Sequence, residues 1–176
     1  MALVGPRPKS RTQRISSTTV KAFEKGDAER LRKRKLTPEE FDDLRRQMEE
    51  NGRLGEEFVL NHERKALRAA GRVDLAVRVK WISQKSVCEG YDIRSFDAHG
   101  AEKWIEVKSS TGTGRVFPMS DPEWKTACKA GAKYWIYRVI NVRESPSLQE
   151  TLRDPQKLER QGKISRTAMG WRITFN

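Results

Sequence analysis

Histidine and cysteine are scarce in this 176-residue chain, with two of each. Cys88 and Cys128 lack the spacing of a metal-binding pair, so both read as small buried hydrophobes in a reducing compartment. His62 and His99 read as a helix-face residue and a turn residue, which leaves a His-based zinc site or a Ser-His-Asp triad without its parts. Long apolar runs are missing, so no stretch suggests a bilayer-spanning helix. The opening Met1–Pro6 is too short for the apolar region of a signal peptide, and the expectation is a cytoplasmic protein. Acid is also in deficit: 24 Asp and Glu stand against 36 Lys and Arg, a net charge of +12. That excess favours a polyanionic partner, most simply nucleic acid. No basic helix with an aromatic face argues for a membrane surface instead. With 36% hydrophobic and 34% charged residues the chain is polar, yet long enough for one real core.

Residues 1–35 form a basic tail, Ser/Thr/Arg/Lys-rich with Pro6 and Pro8 and little periodicity, expected to be disordered. Within it Arg32, Lys33, Arg34 and Lys35 either track phosphates or form a solvated charge run. A helical extension over 36–51 starts on Thr37, with Pro38 in the first turn and Glu40 completing a capping box, and is expected to stop at Asn51-Gly52. A second helix follows over 54–70. Val73 to Ile82 reads as a strand from the alternation of Val77, Val79 and Trp81, and Arg115–Phe117 as a short strand. Ser120 and Glu123 frame another capping box before a helix that closes at Gly131. Tyr134–Val142 is the most strongly β segment, Asp154-Pro155 opens a helical turn, and Trp171–Phe175 reads as a last strand. The order of elements implies one α/β domain with a mixed sheet flanked by helices.

The stretch that carries chemistry is a hairpin: Gly90-Tyr91-Asp92-Ile93-Arg94-Ser95-Phe96, a turn at Asp97–Gly100, then Lys103-Trp104-Ile105-Glu106-Val107-Lys108. Alternation puts Trp104, Glu106 and Lys108 on one face and Ile105 and Val107 on the other. A three-residue loop with Gly100 at positive φ places Asp92 across from Glu106, with Cβ atoms about 5 Å apart. Two carboxylates at that range repel unless a cation lies between them, and a hard divalent ion such as Mg²⁺ can bridge both. Lys108, about 7 Å further along the same face, can reach back toward water on that ion. By pattern alone, a solvated ladder of opposite charges accounts for Glu-x-Lys equally well. Gly55 permits a helix to approach the sheet closely. Glu56 beside it either looks toward the hairpin or complements a helix dipole.

A helix with Glu, a hairpin with Asp and Glu-x-Lys, then a helix and a core strand resembles the PD-(D/E)XK nuclease superfamily. More specifically, residues 52–176 are similar to the NO VEIN C-terminal domain branch. The matching residues are Leu54-Gly55-Glu56-Glu57-Phe58-Val59, Gly90-Tyr91-Asp92-Ile93-Arg94-Ser95, Ile105-Glu106-Val107-Lys108-Ser109-Ser110, Glu123 after its serine cap, and Tyr134-Trp135-Ile136-Tyr137-Arg138-Val139. The proline of the superfamily's motif is replaced by Tyr91, which leaves the acid in place. The resemblance implies a restriction-endonuclease-like fold and a Mg²⁺-dependent (or Mn²⁺-dependent) endonuclease hydrolysing DNA, in restriction or anti-phage defence. It assigns Asp92, Glu106 and the Val107 carbonyl to the metal, and Lys108 to the attacking water and the charge building on phosphorus. Glu56 would serve a second metal or its water. Ser109, Ser110, Arg115 and Lys125 are candidate nucleic-acid contacts, with Arg32–Lys35 in the tail. Cutting both strands would favour a homodimer. Two alternatives stay open: an inactive or partner-activated nucleic-acid-binding module on the same fold, and a protein-interaction subunit of a defence complex.

Overall fold

Thr37 starts the first helix by reciprocal bonding. Its Oγ1 accepts the Glu40 N–H at 3.2 Å, and Glu40 Oε2 accepts the Thr37 N–H at 3.0 Å. The structure, a computed structural model, describes residues 36–86 and 88–168, together with Val20. The tail residues Arg32, Lys33, Arg34 and Lys35 and the expected strand Trp171–Phe175 lie outside the described residues.

From its cap, helix α1 runs without interruption over Pro38–Ala69. The stop expected at Asn51-Gly52 does not occur, and the helical extension and the helix after it are one element. Glycine costs a helix interior only about 1 kcal/mol, which tertiary bonds outweigh here. Asn51 is buried, its Oδ1 accepts Arg143 Nε at 2.6 Å, and its carbonyl oxygen accepts the Ser109 hydroxyl at 2.8 Å. The helix ends instead at Gly71, where φ is 74°.

The strand expected over Val73–Ile82 is replaced by a short helix α2, Val73–Ala76, and a two-residue strand β1, Lys80–Trp81. Leu75, Ala76 and Val79 are buried, whereas Val73 and Val77 are 56% and 70% exposed. Burial at i, i+1 and i+4 is a helical spacing, and it won over the alternating valines. Strands β2 (Ile93–Phe96), β3 (Glu102–Ser109), β4 (Tyr134–Ile140) and β5 (Ser147–Arg153) complete a mixed five-stranded sheet in the order β1-β2-β3-β4-β5. β3 and β4 are parallel, joined across the capped helix α3, Asp121–Ala130, and the other neighbours are antiparallel. A last short helix α4, Pro155–Arg160, follows β5. Arg115–Phe117 forms no strand, and Val116 is 64% exposed.

The sheet buries both faces, as the alternation in β3 and β4 requires. On one side Ile93, Ile105, Val107 and Val139 pack against Val59, Leu60 and Leu67 of α1 and Leu75 of α2. On the other, Tyr134 and Ile136 pack with Ala127 of α3, joined by Trp104, Phe117 and Met119. The α1 side also encloses a polar cluster. Lys103 Nζ donates to both Glu63 carboxylate oxygens at 2.8 Å, and the Tyr137 hydroxyl bonds Glu63 at 2.8 Å.

Candidate acidic site on the sheet

The hairpin turn fixes the register of the site. Asp97 N–H donates to the Ala101 carbonyl, and the Asp97 carboxylate accepts the N–H groups of His99 and Ala101, each at 2.9 Å. That leaves a three-residue loop in which Gly100 takes φ 94°, and Ile93 pairs with Ile105. One step further the ladder departs from regularity at Asp92. Its N–H donates to the Ile105 carbonyl at 2.9 Å, while its own Oδ2 accepts the Val107 N–H at 2.7 Å. The Asp92 carbonyl accepts the Ile82 N–H at 2.7 Å and the Ser83 N–H at 3.2 Å. Asp92 is therefore held from two sides. Ahead of it, Gly90 (φ 75°) lies so close to α3 that a Cβ there would fall 2.3 Å from Thr126 Oγ1. The Tyr134 hydroxyl donates to the Gly90 carbonyl at 2.8 Å.

Glu106 and Lys108 project from β3 toward α3, opposite Ile105 and Val107, as the alternation predicts. Lys108 Nζ lies 2.7 Å from Glu106 Oε1 and 2.8 Å from Glu123 Oε2 of α3. The Glu106 and Lys108 side chains are only 6% and 14% exposed. Such burial decides the electrostatics. It pushes the Asp92 carboxyl up to about 7; the Glu56 charge adds to this, and the Val107 N–H and Lys108 oppose it. Glu106 is likewise raised well above the usual carboxylate range, by burial first, with Lys108 opposing and Asp92 and Glu123 adding. Burial pulls the Lys108 ammonium down, but Glu106 and Glu123 more than offset it and the net shift is upward. The site is thus a pair of buried carboxyls, raised above their ordinary range, beside an amine paired with two acids.

Glu56 comes from α1. Its neighbour Gly55 sits against Ser109 of β3, where a Cβ on residue 55 would lie 2.5 Å from Ser109 Cβ. This is the close approach that the small residue permits. The Glu56 carboxylate accepts Trp81 Nε1 at 2.5 Å and also bonds the Ser83 hydroxyl. Residues 81–83 therefore touch the Glu56 side chain and the Asp92 backbone together.

The remaining candidates are dispersed. The Ser109 hydroxyl is engaged by the Asn51 carbonyl. Ser110 is buried, accepting Arg138 at 2.6 Å and donating to the Gly112 carbonyl at 2.7 Å, so in this structure it is an internal link and not a phosphate-facing group. Arg115 is exposed and paired with Glu150. Lys125 is exposed, two positions beyond Glu123, and so does not share its face. The Val107 side chain lies in the α1 core while its N–H binds Asp92. Glu123 is the neighbour of Lys108 that spacing did not point to. Its place as the third residue of a capping box explained it well enough to hide its second bond.

Among the described residues, no three Asp, Glu, His or Cys side chains are grouped to hold an ion between them. The donors on offer are a carboxylate pair, Asp92 and Glu106. Mg²⁺ commonly takes one or two carboxylates and completes its shell with water and substrate phosphate, so this hard oxygen pair suits it. The repulsion between these two carboxylates when both are charged is relieved by a cation between them.

Residues 55–151 match the family model described as Protein NO VEIN, C-terminal. No curated protein and no solved structure matches the chain.

Proposed function

The chain belongs to the NO VEIN C-terminal family, and from that premise we propose that it is a Mg²⁺-dependent phosphodiesterase acting on DNA, built on a PD-(D/E)XK nuclease arrangement. The observation that carries this reading is that Asp92, just before β2, is bonded to the Val107 N–H between Glu106 and Lys108 of β3, and its charge acts on Glu106. Asp92 and Glu106 would hold the ion, with the Val107 carbonyl as a further oxygen donor. Bound there, Mg²⁺ supplies a lowered pKa for water and a counter-charge for phosphoryl oxygens.

Lys108 stands 2.7 Å from Glu106 and 2.8 Å from Glu123, on the same face as the proposed ligand. Its part is to orient or help deprotonate the attacking water and to stabilise negative charge growing on phosphorus. Glu56 adds negative charge beside Asp92, which favours a second cation or an oriented water there. The +12 net charge suits a polyanionic substrate.

A second reading is supported by the Lys108–Glu106 contact, which ties one proposed ligand into an internal ion pair. In that reading the domain binds nucleic acid and cuts only when a partner opens the pair. Incubating the purified protein with labelled duplex DNA, single-stranded DNA and RNA, with Mg²⁺, Mn²⁺ or EDTA, separates them. Metal-dependent loss of full-length duplex is the expected result. Salt-sensitive retention of DNA without cleavage supports the second reading.

A further inference from the structure

Glu123 does two things with one oxygen. Its Oε2 accepts the Ser120 N–H at 2.9 Å, closing the capping box of α3, and it lies 2.8 Å from Lys108 Nζ. The Ser120 hydroxyl in turn accepts the Glu123 N–H, so the carboxylate is anchored through the helix start and does not depend on β3 for its place. α3 is itself seated by the contact of Thr126 with Gly90, just ahead of Asp92.

Lys108 has two acidic partners, and they are not equivalent. Glu106 is a proposed metal ligand. Once its charge is committed to a divalent cation, a 14%-exposed ammonium next to that cation would have lost half its compensation and gained a repulsive neighbour. A buried ammonium without a partner is costly, so the side chain is drawn out of place toward solvent.

We propose that Glu123 is the positioning residue of Lys108: the helix-anchored acid that holds its side chain in place when Glu106 turns to a metal ion. This rests on the nuclease reading for its consequence, but its core is an ordering of two ion pairs that exists without catalysis. Glu123 touches no substrate and acts through Lys108.

The test uses the full chain and two readouts. Glutamine is itself a good third residue for a capping box, so Glu123→Gln removes the charge and keeps the cap. In the absence of metal, the ¹H–¹⁵N signal of the Lys108 ammonium is expected to persist in Glu106→Gln and to vanish in Glu106→Gln/Glu123→Gln. Its persistence in the double variant overturns the proposal. In the cleavage assay, Glu123→Gln is expected to lower kcat by about 10- to 100-fold with KM for DNA unchanged. Ser120→Ala removes the hydroxyl but keeps the backbone N–H that Glu123 Oε2 accepts, so it is expected to lower Tm and keep kcat. A Glu123→Gln protein that cleaves at the wild-type rate overturns the proposal, as does a Ser120→Ala protein that loses the same kcat. If the wild-type protein cleaves nothing, the nuclease reading falls and the ammonium signal still decides the ordering.

Discussion

Asp92 and Val107 are joined across the hairpin by a bond from backbone N–H to carboxylate Oδ2, 2.7 Å long. The acid at the start of β2 is thereby pinned to the strand that carries Glu106 and Lys108. The hydrogen bond favours the charged carboxylate, yet burial and the Glu56 charge prevail and hold Asp92 at about 7, above the ordinary 3.8.

That shift has a direction in stability. Between about pH 4 and 7 the folded protein keeps a proton on Asp92 that the unfolded chain releases, so the metal-free fold loses stability as pH rises through this window. Thermal melts of the metal-free protein should show Tm falling over that range, and Asp92→Asn should flatten the fall. A Tm that rises with pH, or an unchanged slope in the variant, contradicts the assignment.

Two glycines of α1, three residues apart, should answer in opposite senses. A Cβ on residue 52 would meet only Glu56 Oε1, at 4.0 Å, so Gly52→Ala should stabilise by up to about 1 kcal/mol. Gly55→Ala drives a methyl into Ser109 and should cost about 1–3 kcal/mol, with Ser109→Gly recovering part of it. Urea unfolding measures both, and a destabilising Gly52→Ala would mean that α1 breaks there.

These glycines also show what was legible in the sequence. The hairpin register, both capping boxes and the Gly55 approach were readable because each is local: a turn type, a spacing of three, a missing Cβ. The continuity of α1 was not, because the groups that stabilise its middle, Arg143 and Ser109, lie 92 and 58 positions away from Asn51. β5 was missed because Ser-Leu-Gln-Glu-Thr-Leu-Arg is a polar, partly exposed strand whose partner, β4, supplies the apolar side of the pair. The Glu63–Lys103–Tyr137 cluster joins three elements and has no linear signature at all.

That cluster predicts its own mutational pattern. Lys103 and Glu63 have side chains 14% and 5% exposed, so Glu63→Ala strands a buried ammonium and should cost about 3–5 kcal/mol. Replacing the three residues together by Leu, Met and Phe should recover most of that loss. Denaturant midpoints report it, and a single variant as stable as the wild type would show that the pair is not buried in solution.

Residues 1–35 are expected to bear on binding and not on chemistry. Their removal should weaken DNA retention for every sequence tested, and the slope of log K against log salt should flatten by about 0.9 for each phosphate that is no longer neutralised. Weakening confined to one DNA sequence would contradict a purely electrostatic tail.

That Asp92 and Glu106 together hold a catalytic divalent ion is tested most directly by calorimetric Mg²⁺ or Mn²⁺ binding and duplex cleavage, measured side by side on wild type, Asp92→Asn and Glu106→Gln. Wild type is expected to bind the ion and cut, and each variant to stay folded, retain DNA and lose both ion binding and cleavage. Either variant cutting DNA at the wild-type rate would contradict the assignment.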